Sequence, residues 1–152
     1  MKTLLAATTM AAFLLANAAY AAGDDVKTME SDAAFADVAS GIENAIVNRG
    51  FKVDYHGFIG DMLKRTATDV DAGKALYKDA EFFTFCSAVV SRKVMEAEIG
   101  DIAYCPYVVF AYEPAETPGK VTVGFRMLPE GGERDAVNAL LSDIIKDAAD
   151  GM

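Results

Sequence analysis

Basic residues are scarce in this chain, with 14 Lys and Arg against 23 Asp and Glu in 152 residues. Nothing here can neutralise a phosphate backbone or an anionic lipid surface, so nucleic acids and such membranes are not expected partners. The acidity reads as a means of keeping the chain in solution. Long apolar runs are missing too. The stretch from Leu4 to Ala16 is short and is interrupted by Thr8 and Thr9, whereas a bilayer span needs about 20 apolar residues; no membrane anchor is expected. Histidine occurs once, as His56, and cysteine twice, as Cys86 and Cys105. Neither the Cys-x-x-Cys spacing nor the Cys-x-x-Cys-His haem-attachment motif is present. The four prolines, Pro106, Pro114, Pro118 and Pro129, all fall in the second half, where they punctuate strands and turns.

Motifs that announce chemistry are lacking as well. There is no Gly-x-Ser-x-Gly elbow, phosphate loop or dinucleotide fingerprint. Asp69-Val70-Asp71-Ala72-Gly73 fails as a calcium loop, because its glycine stands fifth rather than sixth and no Glu stands twelfth. Glu96, Glu98 and Asp101 have no apolar pocket to drive two carboxyl pKa values apart, as a glycosidase pair requires. No catalytic residue, no metal site and no resident cofactor are expected, which favours a binding protein over an enzyme without deciding between them.

What is present begins with a leader. Residues 1–21 carry Lys2, the apolar stretch, and the small-residue site Ala19-Tyr20-Ala21, which together form a signal peptide. The mature chain, residues 22–152, would be one domain with 13 basic and 23 acidic residues, a net charge of −10. A periplasmic or secreted location follows. Val26 to Met29 suits a brief strand, and Ser31 or Asp32 can cap a helix carrying Phe35, Val38, Ile42, Ala45 and Ile46. Phe51, Val53 and Tyr55 alternate with polar residues, which predicts a strand with those three inward and His56 on the polar face. Short helices are expected between Phe58 and Tyr77, and a strand over Glu81 to Phe85. A helix through Val90 and Val94, a hairpin of Tyr107–Tyr112 with Lys120–Arg126, and a last helix through Leu141 and Ile145 follow. Such an order predicts the α+β class, a mostly antiparallel sheet of four to five strands with helices on one face.

The segments Phe85-Cys86-Ser87-Ala88, Ala103-Tyr104-Cys105-Pro106-Tyr107, Tyr112-Glu113 and Val121-Thr122-Val123-Gly124-Phe125-Arg126, with Gly50-Phe51 ahead of them, resemble exported members of the family called domain of unknown function 302. The resemblance spans roughly residues 26–148. It implies a TATA-binding-protein-like fold, β-α-β4-α, often paired as a homodimer, and carries no settled activity. Cys86 is followed by Ser87-Ala88, and Pro106 follows Cys105, where many members carry Asn-Pro and a preceding proline.

If the strands that Cys86 ends and Cys105 opens run antiparallel, as that resemblance implies, both thiols lie at one rim of the sheet, within the ~5.5 Å Cα spacing that a disulfide takes. In an oxidising compartment a structural disulfide is the expected state. The alternative use of the same pair is thiol redox chemistry, since Cys86 stands near a helix N-terminus where a thiolate is favoured. His56 reads first as a solvated strand residue. Haem or copper binding through His56, with Met62 and a free cysteine, is the other reading, imidazole and thioether being ligands for those ions. Tyr104, Tyr107, Phe110 and Tyr112 suit sheet packing, and with His56 the three tyrosines are the candidate contacts for a ligand. The leading functional reading is a non-enzymatic periplasmic binding or accessory protein. It would self-associate and hold an apolar small molecule or a periplasmic protein partner against the helix-free face of the sheet. The alternative is a thiol-redox or haem-linked protein using Cys86, Cys105 and His56.

Overall fold

A computed structural model describes residues 25–151; the expected signal peptide lies outside the described residues. Five strands, β1 (Val26–Ser31), β2 (Val53–Gly57), β3 (Tyr77–Phe85), β4 (Tyr107–Pro114) and β5 (Val121–Arg126), form one sheet in the order β1-β5-β4-β3-β2. Every neighbouring pair is antiparallel. The helices are α1 (Phe35–Asn48), α2 (Ile59–Thr66), α3 (Ala88–Ala97) and α4 (Arg134–Ala149), with 3-10 segments at Thr68–Val70 and Ile99–Tyr104. The architecture is therefore α+β, and a strand and helix, four antiparallel strands and a closing helix appear in the expected order, with α2 and α3 inserted.

Periodicity explains the core. Registers Phe83↔Val109 and Val109↔Phe125 set three large apolar side chains in a row across the sheet. Phe85, Ala111, Val121 and Val123 share that face and are buried with them. Against it lie Val38, Ile42 and Ile46 of α1 and Val137, Leu141, Ile144 and Ile145 of α4, each repeating at helical spacing and each fully buried. Val94 carries α3 into the same cluster. Helix α2 does not join this layer. Gly60 brings it against β3 so closely that a Cβ would stand 2.8 Å from the Ala80 backbone nitrogen.

Two expectations are corrected. Ser31 and Asp32 do not cap α1, whose N-cap is Ala34 with no side-chain hydrogen bond. Ser31 instead continues β1 opposite Val121, and its hydroxyl donates to the Ala149 carbonyl at 2.8 Å while accepting from Ala33 N–H, which ties β1 to the end of α4. The second concerns β2, where an irregularity between Val53 and Tyr55 shifts the register. An extra residue in a strand reverses the sidedness of everything after it. Tyr55 is thereby left 60% exposed, and His56, opposite Phe83, turns towards the helix side.

Two carboxylates bind segments that apolar contacts leave loose. Asp101 is buried in the second 3-10 segment and accepts two hydrogen bonds from Arg134 at the start of α4, both 2.8 Å. Glu113, 2% exposed at the end of β4, accepts from Gly119 N–H at 2.7 Å and Lys78 Nζ at 2.9 Å, which holds the β4–β5 turn. The Gly119 bond first, and Lys78 second, hold its carboxyl below the ordinary value of 4.5. A carboxyl depressed in the folded state contributes stability that is complete above its unfolded pKa and is lost as pH falls through the folded one. Urea midpoints are therefore expected to fall as the pH drops below 4.5. Glu113→Gln should be less stable near neutrality and flatter through that acid range; an acid limb as steep as the parent's would show that this carboxyl is not a source of the pH dependence.

Candidate functional site

Strands β3 and β4 are apolar on both faces, and the alternation of their side chains decides what each face presents. Phe83, Phe85, Val109 and Ala111 turn to α1 and α4; Phe82, Val108, Phe110 and Tyr112 turn the other way and are only partly buried. On that second face the rings meet along β4 and between neighbouring strands. Phe110 and Tyr112 stack at 6.2 Å, Tyr112 meets Tyr77 edge-on at 5.5 Å, and Phe82 meets Tyr55 at 5.7 Å. Gly124 of β5 makes room for this band, since a Cβ there would stand 2.8 Å from Cζ of Phe110. Aromatic pairs of this geometry are held by ring edge-to-face and offset attraction in addition to burial.

Helix α2 walls one side of the band. Ile59 and Leu63 of α2, with Leu76, Phe82, Phe110 and Tyr112, line a groove of about 370 Å³ whose surface is almost wholly apolar. The volume and lining match those of small-molecule sites, which are mostly apolar concavities of ~300–1,000 Å³.

Cys86 and Cys105 are joined in a disulfide with Cα atoms 6.3 Å apart, at the rim where β3 ends and β4 begins. Both are partly buried. Cys86 precedes Ser87, the N-cap of α3, whose hydroxyl accepts from Val90 N–H. Ser91 Oγ lies 3.9 Å from Cys105 Sγ and 2.9 Å from the Tyr107 hydroxyl.

The other candidate contacts are dispersed. His56 Nε2 is 2.7 Å from Glu81 Oε2, and its ring lies between Phe58 and Phe83, with centroids at 4.3 and 4.1 Å. Met62 Sδ accepts from Thr66 Oγ1. Tyr107 is 3% exposed on the core face, packed edge-on to Phe85. Burial holds its phenol above the ordinary range, against the opposing hydrogen bond with Ser91. Tyr104 packs half-buried at the end of the second 3-10 segment, beside Arg126 and Met127. Of His56, Tyr104, Tyr107 and Tyr112, the structure brings only Tyr112 to the groove. The groove's other rings are Tyr77, Phe82 and Phe110; the latter two were legible only as strand residues and Tyr77 only as the end of a helical stretch. Their signal is that β3 and β4 are apolar on both faces while helices are available to cover one.

Among the described residues, no three of His, Cys, Asp and Glu gather in a way that would hold a metal ion, and no helix is long and apolar enough to cross a membrane. No family model and no curated protein matches this chain. Among solved structures, the chain is similar to an uncharacterized conserved protein from Bacillus stearothermophilus, described as DUF302. The two share 12% sequence identity and a TM-score of 0.58, over 84% of this chain and 95% of that one. That likeness shows a common fold.

Proposed function

We propose that this chain is an exported, non-enzymatic binding or accessory protein of the domain of unknown function 302 family, paired as a homodimer. It holds an apolar small molecule or a periplasmic protein partner on the sheet face that α1 and α4 leave uncovered. One observation carries the reading: Tyr55, Phe82, Phe110, Tyr112 and Tyr77 form a band of rings on a face that α1 and α4 leave uncovered. Contiguous exposed apolar surface is costly to keep in water and marks places where proteins meet ligands or one another. The fold shared with a DUF302 protein supports the family, and the leader in the sequence supports export. Mass spectrometry of the exported protein should find a chain that starts near Ala22.

The test replaces two rings of the band with charges. Parent protein should sediment as a dimer and raise the fluorescence of the neutral dye Nile red, and the double variant Phe82→Glu, Phe110→Glu should do neither while keeping the parent's far-UV circular dichroism. A parent that sediments as a monomer and leaves the dye dark would refute the reading. A second reading, thiol exchange at Cys86 and Cys105, draws on the partial exposure of the pair and the place of Cys86 beside the α3 N-terminus. Its mark would be a reduction potential above about −300 mV, the level below which structural disulfides resist reduction. The same preparation's visible spectrum would report haem or copper.

A further inference from the structure

A second hollow adjoins the aromatic groove. It has a volume of about 320 Å³ and lies under the loop that follows α2, between Thr66, Val70 and the β3 start. Leu63, Leu76 and Tyr77 line both hollows, so the two share one wall. Their chemistry differs in a way that polarises the pair. The first is apolar almost throughout, whereas the second carries two charged side chains, and both are lysines, Lys64 and Lys74.

From this we infer that the site takes a single-chain amphiphile with an anionic head, such as a fatty acid. The inference rests on the binding role proposed above and names the class of ligand for it. The alkyl chain lies over Leu63 and Leu76 against Phe82 and Phe110, and the carboxylate meets the ammonium groups of Lys64 and Lys74. Each hollow alone is at the small end of ligand sites, and an extended chain across their common wall fills both. Charge complementarity is local. The net acidity of the molecule opposes a membrane surface, which faces the whole protein, but a lone carboxylate at this rim faces two cations. Both lysines have protein partners: Lys74 pairs with Glu116 at 2.7 Å, and Lys64 donates to the Lys78 carbonyl with Asp79 3.7 Å away. These pairs are exposed, so exchanging a protein carboxylate for a ligand carboxylate gives up little. At the apolar end the charged lining residue is Glu81, already engaged by His56 at 2.7 Å, which orients the head away from it.

Calorimetric titration of the full mature protein with dodecanoic acid and with dodecan-1-ol, both below micellar concentration, separates head from tail. The acid is expected to bind about tenfold more tightly than the alcohol, through charge-assisted hydrogen bonds, and this margin should vanish in the Lys64→Gln, Lys74→Gln double variant while the alcohol's affinity holds. Equal binding of acid and alcohol by the parent overturns the anionic head and leaves the apolar groove standing. Failure of both to bind overturns the groove as well. Should the double variant be poorly folded, the parent's own preference for acid over alcohol, and the loss of that preference in high salt, decide the matter.

Discussion

Phe85→Ala is expected to destabilise the protein by about 3–5 kcal/mol, a large share of the ~5–15 kcal/mol that holds a domain together. Phe85 is fully buried where β3 ends, with Phe51 stacked at 5.5 Å on one side and Tyr107 edge-on at 5.7 Å on the other. Removing the ring forfeits its transfer free energy and leaves a cavity that Tyr107, fixed on β4, cannot close. The neighbouring position offers an internal control. Phe82, on the same strand but on the face away from α1 and α4, is only partly buried, and its truncation should cost about 1–2 kcal/mol. The functional consequences run in the opposite order. Phe82→Ala should impair dye binding and self-association in a protein that is still folded; Phe85→Ala should leave both intact in whatever fraction remains native. Urea unfolding with an unchanged m-value measures the first pair of effects, and sedimentation with Nile red titration the second. If the two variants lost equal stability, the assignment of one face to the core and the other to a ligand would be wrong.

How much of this could be read in the chain depends on where tertiary contacts override local pattern. The stripes of α1 and α4 were legible because a helix buried on one side must repeat its apolar residues every three or four positions, and Ile42, Ile46, Leu141 and Ile145 do so. The hairpin of β4 and β5 was legible from its turn residues, with Gly119 at φ +90° where a left-handed backbone favours glycine. The sidedness of β2 was not. Strict alternation placed Tyr55 inward and His56 outward, and the register shift after Val53, which nothing in the local composition announces, inverted both. The start of α1 was missed for a similar reason: Ser31 has the chemistry of a cap, but its hydroxyl is used by Ala149, 118 residues away. The groove was harder still. Leu63 and Leu76 are separated by a loop, and only the close seat of Gly60 on β3 brings α2 round to face Phe110. The strand position of Tyr112 was legible in the chain; the wall that α2 builds beside it was not, because residues far apart in sequence form it.

Replacing Cys86 and Cys105 together by serine, or reducing the bond, is expected to lower stability by about 3 kcal/mol while leaving the native structure in place. The two cysteines are 19 residues apart in sequence, and the cross-link removes that loop's freedom from the unfolded chain. The folded state has independent ties for the same segment. Val94 anchors α3 in the core, Ser91 bonds the Tyr107 hydroxyl, and Asp101 takes both hydrogen bonds from Arg134. Because these contacts survive, near-UV circular dichroism of the tyrosines should match between oxidised and reduced protein. The unfolded chain, now freer to expand, should expose more surface, so the urea m-value should rise slightly as the midpoint falls. Groove binding should be unchanged, since every lining residue of the groove lies outside the segment closed between Cys86 and Cys105. Two results would count against a purely structural staple. A reduced protein as stable as the oxidised one would mean that the unfolded chain is already restrained there, and a reduced protein that binds differently would mean that the bond's redox state is communicated to the site.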